Sequence, residues 1–341
     1  HLLPPGGVVA RPAALKPAPA MGRFLLRRLA ACLVLVWLVL TGTFFLLHLA
    51  PGGPGGALED PRIPSEQRLR LQELWGLDRP LAVQYGRFLT AAVRGEWGHS
   101  FQHPRPVAAV VAGALPATLR LAGAALAIEW TLGLLLGVAA ARRPGGALDQ
   151  SLRVVSLVLY SLPTFWLGLR AVLLFSVHWP LFPPSHMASV GAEALPPLAR
   201  LADLAWHLAL PALAVGLPSA AALARFVRGS LVETLGQEFV LAARARGLSG
   251  RRVLFGHALR ASLAPLSQLF GLSLAFLLSG TLAVEVVFAW PGIGRVTFDA
   301  ITARDYPVVL ATTALSATMV VLGSLAADLL LAWADPRVRR A

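Results

Sequence analysis

Glu129, Arg170 and Asp328 are ionisable side chains set inside long apolar runs of a 341-residue chain, and any chemistry done there starts with them. A charge in hydrocarbon costs roughly 2.5–3.5 kcal/mol or more, so each should face a bundle interior, a water-filled cavity or a partner. Such groups either line a path for a polar solute or pair with one another and with a second subunit, and composition leaves both open. Hydrolysis would need a nucleophile and a base in contact. Ser219 and His207 lie twelve residues apart on one apolar run, about 18 Å along a straight helix, and the sequence holds no H-E-x-x-H zinc motif. His48 and His178 fall near expected membrane–water boundaries and read as interfacial side chains rather than metal ligands. The single lysine, Lys16, sits in a Pro/Ala-rich leader. A phosphate-cradling G-x-x-x-x-G-K-[ST] loop is therefore excluded. Cys32 is the only cysteine, which excludes an internal disulfide and a multi-cysteine metal site. No catalytic group, metal or cofactor is expected in this chain.

A second region stands out because it is too polar to cross a membrane and too patterned to be an arbitrary loop. Between Ala224 and Gly271 it carries Arg225, Arg228, Arg244, Arg246, Arg251, Arg252 and Arg260 against only Glu233 and Glu238. Leu231, Leu235, Phe239 and Ala242 recur at helical spacing, which predicts one helix from Ser230 to Arg246. Gly247 then supplies a left-handed break. A second short helix is expected after Ser249, which suits an N-cap. Small Ala242, Ala243 and Ala245 permit close approach of another surface, and the arginines suit acidic groups on a partner.

These residues must be positioned by membrane helices. Hydrophobic residues make up 56% of the chain and charged ones 14%, with a mean hydropathy of +0.67, which excludes an ordinary soluble domain. Six apolar segments of spanning length are predicted, at about Leu29–Ala50, Ala117–Ala141, Val154–Val177, Leu204–Ala224, Leu266–Phe288 and Val308–Trp333. The fold class is thus all-α membrane protein, since only helices satisfy their backbone over such lengths. Arg23, Arg27 and Arg28, then Arg142 and Arg143, then the Ala224–Gly271 cluster, then Arg337, Arg339 and Arg340 all fall on one side of a six-span chain. Positive connections stay inside, so both termini are expected to be cytoplasmic. The formal charge of +13 is accordingly topological, and no nucleic acid is expected as a partner. Trp179, Trp206, Trp290 and Trp333 fall near span ends, where headgroup-level rings are favoured; Trp37, Trp130 and Trp166 read as packing residues. Pro163, Pro211 and Pro218 are candidate kinks. The external segment from Gly52 to Leu115 is expected to hold a short amphipathic helix after Ser65. Residues 1–20 read as a disordered leader or upstream extension, 21–116 as the first span with this segment, 117–334 as the core with a cytoplasmic loop at 225–265, and 335–341 as a cytoplasmic tail.

EFVLAARARG at Glu238–Gly247 resembles the cytoplasmic "EAA"-type loop of ABC importer permeases, and LSGRRVLFGHALRASLAP (Leu248–Pro265) resembles the form found in the dipeptide/oligopeptide/nickel permease family. LLHLAPGGP, GLDRPLAVQYGRFL, RGEWGHSF, LPATLRLA, SLPTFWLGL, HLALPALAVGL, VEVVFAWPGIGR, ARDYPVV and ADPRVRR follow in family order over about residues 21–340. The chain departs from the family pattern at Ala261 and Ser324, where the family commonly has Asn, and at Glu96-Trp97. Arg120, Glu129 and Arg170 also put charge where the family is commonly apolar.

The resemblance implies an ABC type I importer permease fold. It also implies a prokaryotic cell-membrane subunit forming half of a translocation path for peptides or a related solute such as a nickel chelate. A homologous sister permease, two cytoplasmic ABC ATPase subunits and an extracytoplasmic substrate-binding protein would be its partners beside the lipid bilayer. Glu238, Phe239, Ala242, Ala243, Arg244, Gly247 and Leu248 would form the loop that docks on the ATPase, which alone would hydrolyse ATP. Glu129, Arg170 and Asp328 are candidates for the path. An ion-gradient-driven secondary transporter is the alternative, and it would be expected to show inverted repeats; no such repeat is visible.

Overall fold

The computed structural model describes residues 21–50, 66, 69, 76–102 and 105–334. The described residues are mostly helical, with an irregular connection at 179–196 that holds a 3-10 turn at Ala192–Ala194, and with one isolated bridge between His99 and Pro106. α1 runs Met21–Leu49, α2 Leu81–Arg94 and α3 Val107–Ala141. α4 (Ala147–Ser161) and α5 (Thr164–Val172, wound on as a π-helical turn to His178) follow, then the 39-residue α6, Pro197–Leu235. α7 is Glu238–Ala245, and α8 is Gly250–Val253, continued by a π turn to Ala258 and a last turn to Ala261. α9 is Leu263–Gly280, α10 Leu282–Val287, α11 Ile293–Thr302 and α12 Tyr306–Ala334.

Among the described residues four of these, α1, α3, α6 and α12, are long and apolar enough to cross a bilayer unaided. The third expected crossing is not one straight helix: α4 and α5 form a pair bent by 99°. Leu162 is extended (φ −96°, ψ 134°) ahead of Pro163, as the proline ring demands of the residue before it. The fifth crossing is also shorter than expected. α9 stops at Gly280 after 18 residues; the remainder of the expected span forms the separate α10. Pro211 and Pro218 lie inside α6 without ending it. The amphipathic helix expected after Ser65 lies outside the described residues apart from Glu66 and Leu69, as do the leader and the tail.

The centre of the fold is α3 laid parallel against α6, with the first half of the contact at Ala125 and Ile128 on Gly216 and the second at Gly133 on Leu223 and Gly137 on Ala224 and Val227. A Cβ added at Gly137 would stand 2.7 Å from the Ala224 carbonyl oxygen and from Val227 Cβ, and one at Gly133 2.7 Å from Leu223 Cδ2. Lipid supplies no hydrophobic drive between helices, so close backbone approach through small residues is what joins them. The same device joins α9 to α12, where Gly271 meets Ala327 and Gly323 meets Ala275.

Tryptophan positions depart from expectation. Trp290 is fully buried and its Nε1–H donates to the Ala117 carbonyl (2.8 Å), so it packs the core rather than the headgroup level. Trp179 and Trp206 are exposed, as are Trp37 and Trp166, which face outward rather than into the subunit. Trp130 is half-buried, edge-on to Phe270 at 5.2 Å. Gly137→Val should lower the thermal unfolding midpoint in detergent by an amount matching about 1–3 kcal/mol of overpacking. Gly113→Val, with nothing within 4 Å of the new Cβ, should leave the midpoint in place.

Candidate functional sites

α6 does not run on into the basic segment as one helix. It ends at Leu235, Gly236 caps it, and Gln237 is extended (φ −75°, ψ 151°), so the chain turns before α7 begins at Glu238. Within α7, Val240 and Ala243 are buried against Leu235, Leu248 and Val253, which fixes the helix on α8 and turns its other face outward. Glu238, Phe239, Ala242 and Arg244 stand on that exposed face, and Leu248 is half-buried under it. Phe239 is 42% and Leu241 53% exposed, large apolar surfaces with no cover from this chain. Gly247 has φ +79°, the left-handed conformation expected of it, and its N–H donates to Arg244 O (2.9 Å). Ser249 occupies the N-cap position of α8 but makes no side-chain cap hydrogen bond. Arg244, Arg246, Arg251 and Arg252 are exposed, and none has an acidic partner among the described residues. The result is a basic knob with an apolar face, carried on the end of α6.

Asp149, not singled out in the sequence, ties this end of α6 to the α3–α4 turn. Its carboxylate accepts Arg228 Nε (2.9 Å) and Nη2 (2.7 Å) in a fork, and also the Gly145 N–H (2.8 Å). Its side chain is wholly buried, with Arg153 Nη2 at 3.9 Å. A bidentate guanidinium–carboxylate pair is both strong and directional.

The charges expected inside the bundle separate into different environments. Glu129 is buried in α3 and accepts the Ser273 hydroxyl from α9 (2.6 Å). Asp328 pairs with Arg28 of α1 at 3.2 Å, a helix-to-helix contact rather than an open site. Arg170 does not face the interior of this chain: it is exposed on α5, where its guanidinium lies over Trp166 at 5.1 Å. The structure therefore does not bring Glu129, Arg170 and Asp328 together. His48 bonds Phe44 O (2.8 Å) and Gln84 (3.2 Å), and His178 bonds Leu173 O (3.0 Å). Ser219 and His207 each bond their own helix, to Val215 O and Asp203 O, which leaves no nucleophile–base contact between them.

The sequence reading also passed over Glu285, a fully buried carboxylate at the opposite end of α3 from the knob. Its Oε1 accepts hydroxyls from Thr118 (2.8 Å) and Thr281 (2.9 Å), and Oε2 accepts the Arg295 N–H (3.1 Å). Thr118 Oγ1 in turn accepts the Ile293 N–H (2.7 Å). A Cβ on Gly292 would stand 2.4 Å from the Glu285 carboxyl carbon, so glycine is needed for the loop to close on it. The signal was present in VEVVFAWPGIGR: one acid in an apolar run, followed by two glycines. Asp149→Ala should cost about 1–3 kcal/mol, less than a fully buried pair because water reaches Arg228. Faster amide hydrogen exchange across 142–150, with α12 unchanged, is the measurement that checks it.

Comparison with known proteins agrees along the chain. Residues 133–340 match the family described as binding-protein-dependent transport system inner membrane component, and residues 21–122 match the corresponding N-terminal family. The chain is 34% identical over 319 residues to the oligopeptide transport system permease protein AppB of Bacillus subtilis (strain 168), covering 93% of this chain and 99% of the relative. It is 37% identical over 334 residues to the di/tripeptide transport system permease protein DppB of Pseudomonas aeruginosa (strain UCBPP-PA14), covering 93% and 98%. The dipeptide transport system permease protein DppB of Escherichia coli (strain K12) is 34% identical over 336 residues, covering 94% and 99%. A chain of the MetNI methionine ABC transporter, solved in inward-facing conformations, superposes with a TM-score of 0.54 at 18% identity, over 68% of this chain and 100% of that one, a likeness of fold. With the multi-helix membrane fold and matches spanning both parts of the chain, this protein belongs to the inner-membrane permease family of binding-protein-dependent ABC transport systems.

Proposed function

We propose that this chain is the permease subunit of an ATP-driven importer of di- or oligopeptides, or of a related solute such as a nickel chelate, and forms half of the path. The α7 knob is the observation that carries the reading. A short helix backed by Val240 and Ala243 offers Phe239, Leu241 and Ala242 outward, beside arginines with no acidic partner among the described residues. An apolar centre with a charged rim is how a transient protein contact is built. Glu238, Phe239, Ala242, Ala243, Arg244, Gly247 and Leu248 make the docking element for a cytoplasmic ABC ATPase, two of which would serve this chain and a homologous sister permease. An extracytoplasmic substrate-binding protein delivers the solute. The arginine clusters support cytoplasmic termini.

Transmission is mechanical. α6 is continuous from Pro197 to the knob and is packed along α3 without gaps for a Cβ at Gly133, Gly137 or Gly216. A push on α7 therefore moves α6 and α3 together, and the Asp149–Arg228 fork carries the α3–α4 turn with them. Rigid-body movement between two states, each biased by nucleotide occupancy of the ATPases, alternates the open side of the path. Glu129 lines that path, whereas Asp328 serves packing of α12 on α1. The peptide class rests on the names of the relatives.

The test is uptake by the assembled complex in proteoliposomes. Wild type should accumulate a dipeptide only with ATP and binding protein; accumulation driven by an ion gradient alone would contradict the reading. Gly247→Asp should abolish uptake while the chain stays inserted at wild-type abundance. The new side chain meets open space, and the left-handed backbone costs it only about 1–2 kcal/mol, so the fold survives while the knob is reshaped.

A further inference from the structure

Among the described residues two buried carboxylates leave one oxygen without a hydrogen bond, Asp305 and Glu129; Asp305 Oδ1 is sealed in packing while its Oδ2 holds Ser100 and the Gln102 N–H, whereas Glu129 opens on a cavity. It is 5% exposed and sits on α3 twelve residues before the helix ends at Ala141, about 18 Å from that end. Oε1 accepts the Ser273 hydroxyl; among the described residues no donor reaches Oε2 and no cation lies in ion-pair range. Glu285, by contrast, has both oxygens bonded and closes a loop. Glu129 ties no loop, and it lines a cavity of about 440 Å³ between α3, α6 and α9. Ser219, Ser273 and Arg225 are the other polar groups of that wall, with Leu269, Leu272 and Phe276 among the apolar ones. The volume falls in the range of small-molecule sites, whose walls are mostly apolar with a few convergent polar groups. Arg225 is exposed, so the buried part of the wall carries negative charge and hydroxyls only.

We infer that Glu129 is a binding group for a cationic group on the transported solute, and that it favours peptides of net positive charge over neutral ones. The inference rests on the importer reading above and names the substrate class of the same path. An ammonium brings three donors, which match the open Oε2, the Ser219 hydroxyl oxygen and the remaining lone pair of Ser273. A cation also neutralises a charge that the low-dielectric interior otherwise penalises. A solute of net negative charge meets repulsion at this point instead.

The test uses the complete complex with its sister permease, ATPases and binding protein in proteoliposomes, and compares ATP-driven uptake of Lys-Ala with that of Ala-Ala. Glu129→Gln keeps the shape and removes the charge; the Lys-Ala to Ala-Ala uptake ratio should fall about tenfold. Glu129→Asp should restore most of the ratio. An unchanged ratio, or an equal fall for both peptides, overturns the inference, as does loss of the sister permease from the Glu129→Gln complex. A wild-type complex that takes up neither peptide with ATP overturns the importer reading and this inference with it.

Discussion

The contact between α3 and α6 is the constraint on which the rest of the structure depends. Two long helices cross the membrane side by side at distances that only Gly133, Gly137 and Gly216 permit. In water such an interface could be driven by burying leucines; in lipid the leucines gain nothing by meeting one another, and close van der Waals packing must do the joining. The consequence is stiffness. A knob at one end of α6 and the Glu285–Trp290 cluster at the other end of α3 are tied to one rigid pair rather than to separate helices.

Polar groups in this frame divide by how completely they are satisfied. Glu285 and Asp149 are wholly buried and accept three hydrogen bonds each, from hydroxyls, backbone N–H groups or a guanidinium. Fully met networks of this kind specify one arrangement and resist change. Each closes a turn at opposite ends of the pair: Asp149 the α3–α4 turn, Glu285 the loop from α10 to α11. Glu129 lies between them with half its capacity open to a cavity. On the α3–α6 pair Glu129 is thus the carboxylate that faces a cavity, while Asp328 is paired with Arg28 between α12 and α1.

Much of this was legible in residue order, and the exceptions have physical causes. Membrane class, the positions of the four long apolar helices and the left-handed Gly247 followed from hydropathy and from glycine's freedom at positive φ. The basic segment was read as one helix from Ser230 because LGQEF contains no proline and keeps helical spacing. The break at Gly236–Gln237 comes instead from tertiary packing, since Val240 and Ala243 can bury against α8 only if the chain turns there. Arg170 is expected inside because a charge is costly in lipid; in the structure it is exposed on α5, beyond the 99° bend, with its guanidinium over Trp166. Glu285 was hidden by its own surroundings: an apolar stretch long enough to be counted as part of the fifth span conceals a carboxylate whose partners lie 167 residues back in sequence and a few residues ahead. Asp149 sits in a short polar turn, where an acid is unremarkable until Arg228 is found beside it.

Cross-linking measures the central claim most directly. Cys32 is the only cysteine in the chain, so a Cys32→Ser background carrying Ala242→Cys reports on the exposed face of α7 alone. In membranes containing the whole complex, a short thiol cross-linker should join residue 242 to the ATPase subunit, and the yield should change between nucleotide-free and ATP-trapped states. Absence of any cross-link to the ATPase from this position, while a control cysteine at Val93 on the far side of the chain behaves identically, would contradict the assignment of α7 as the coupling element.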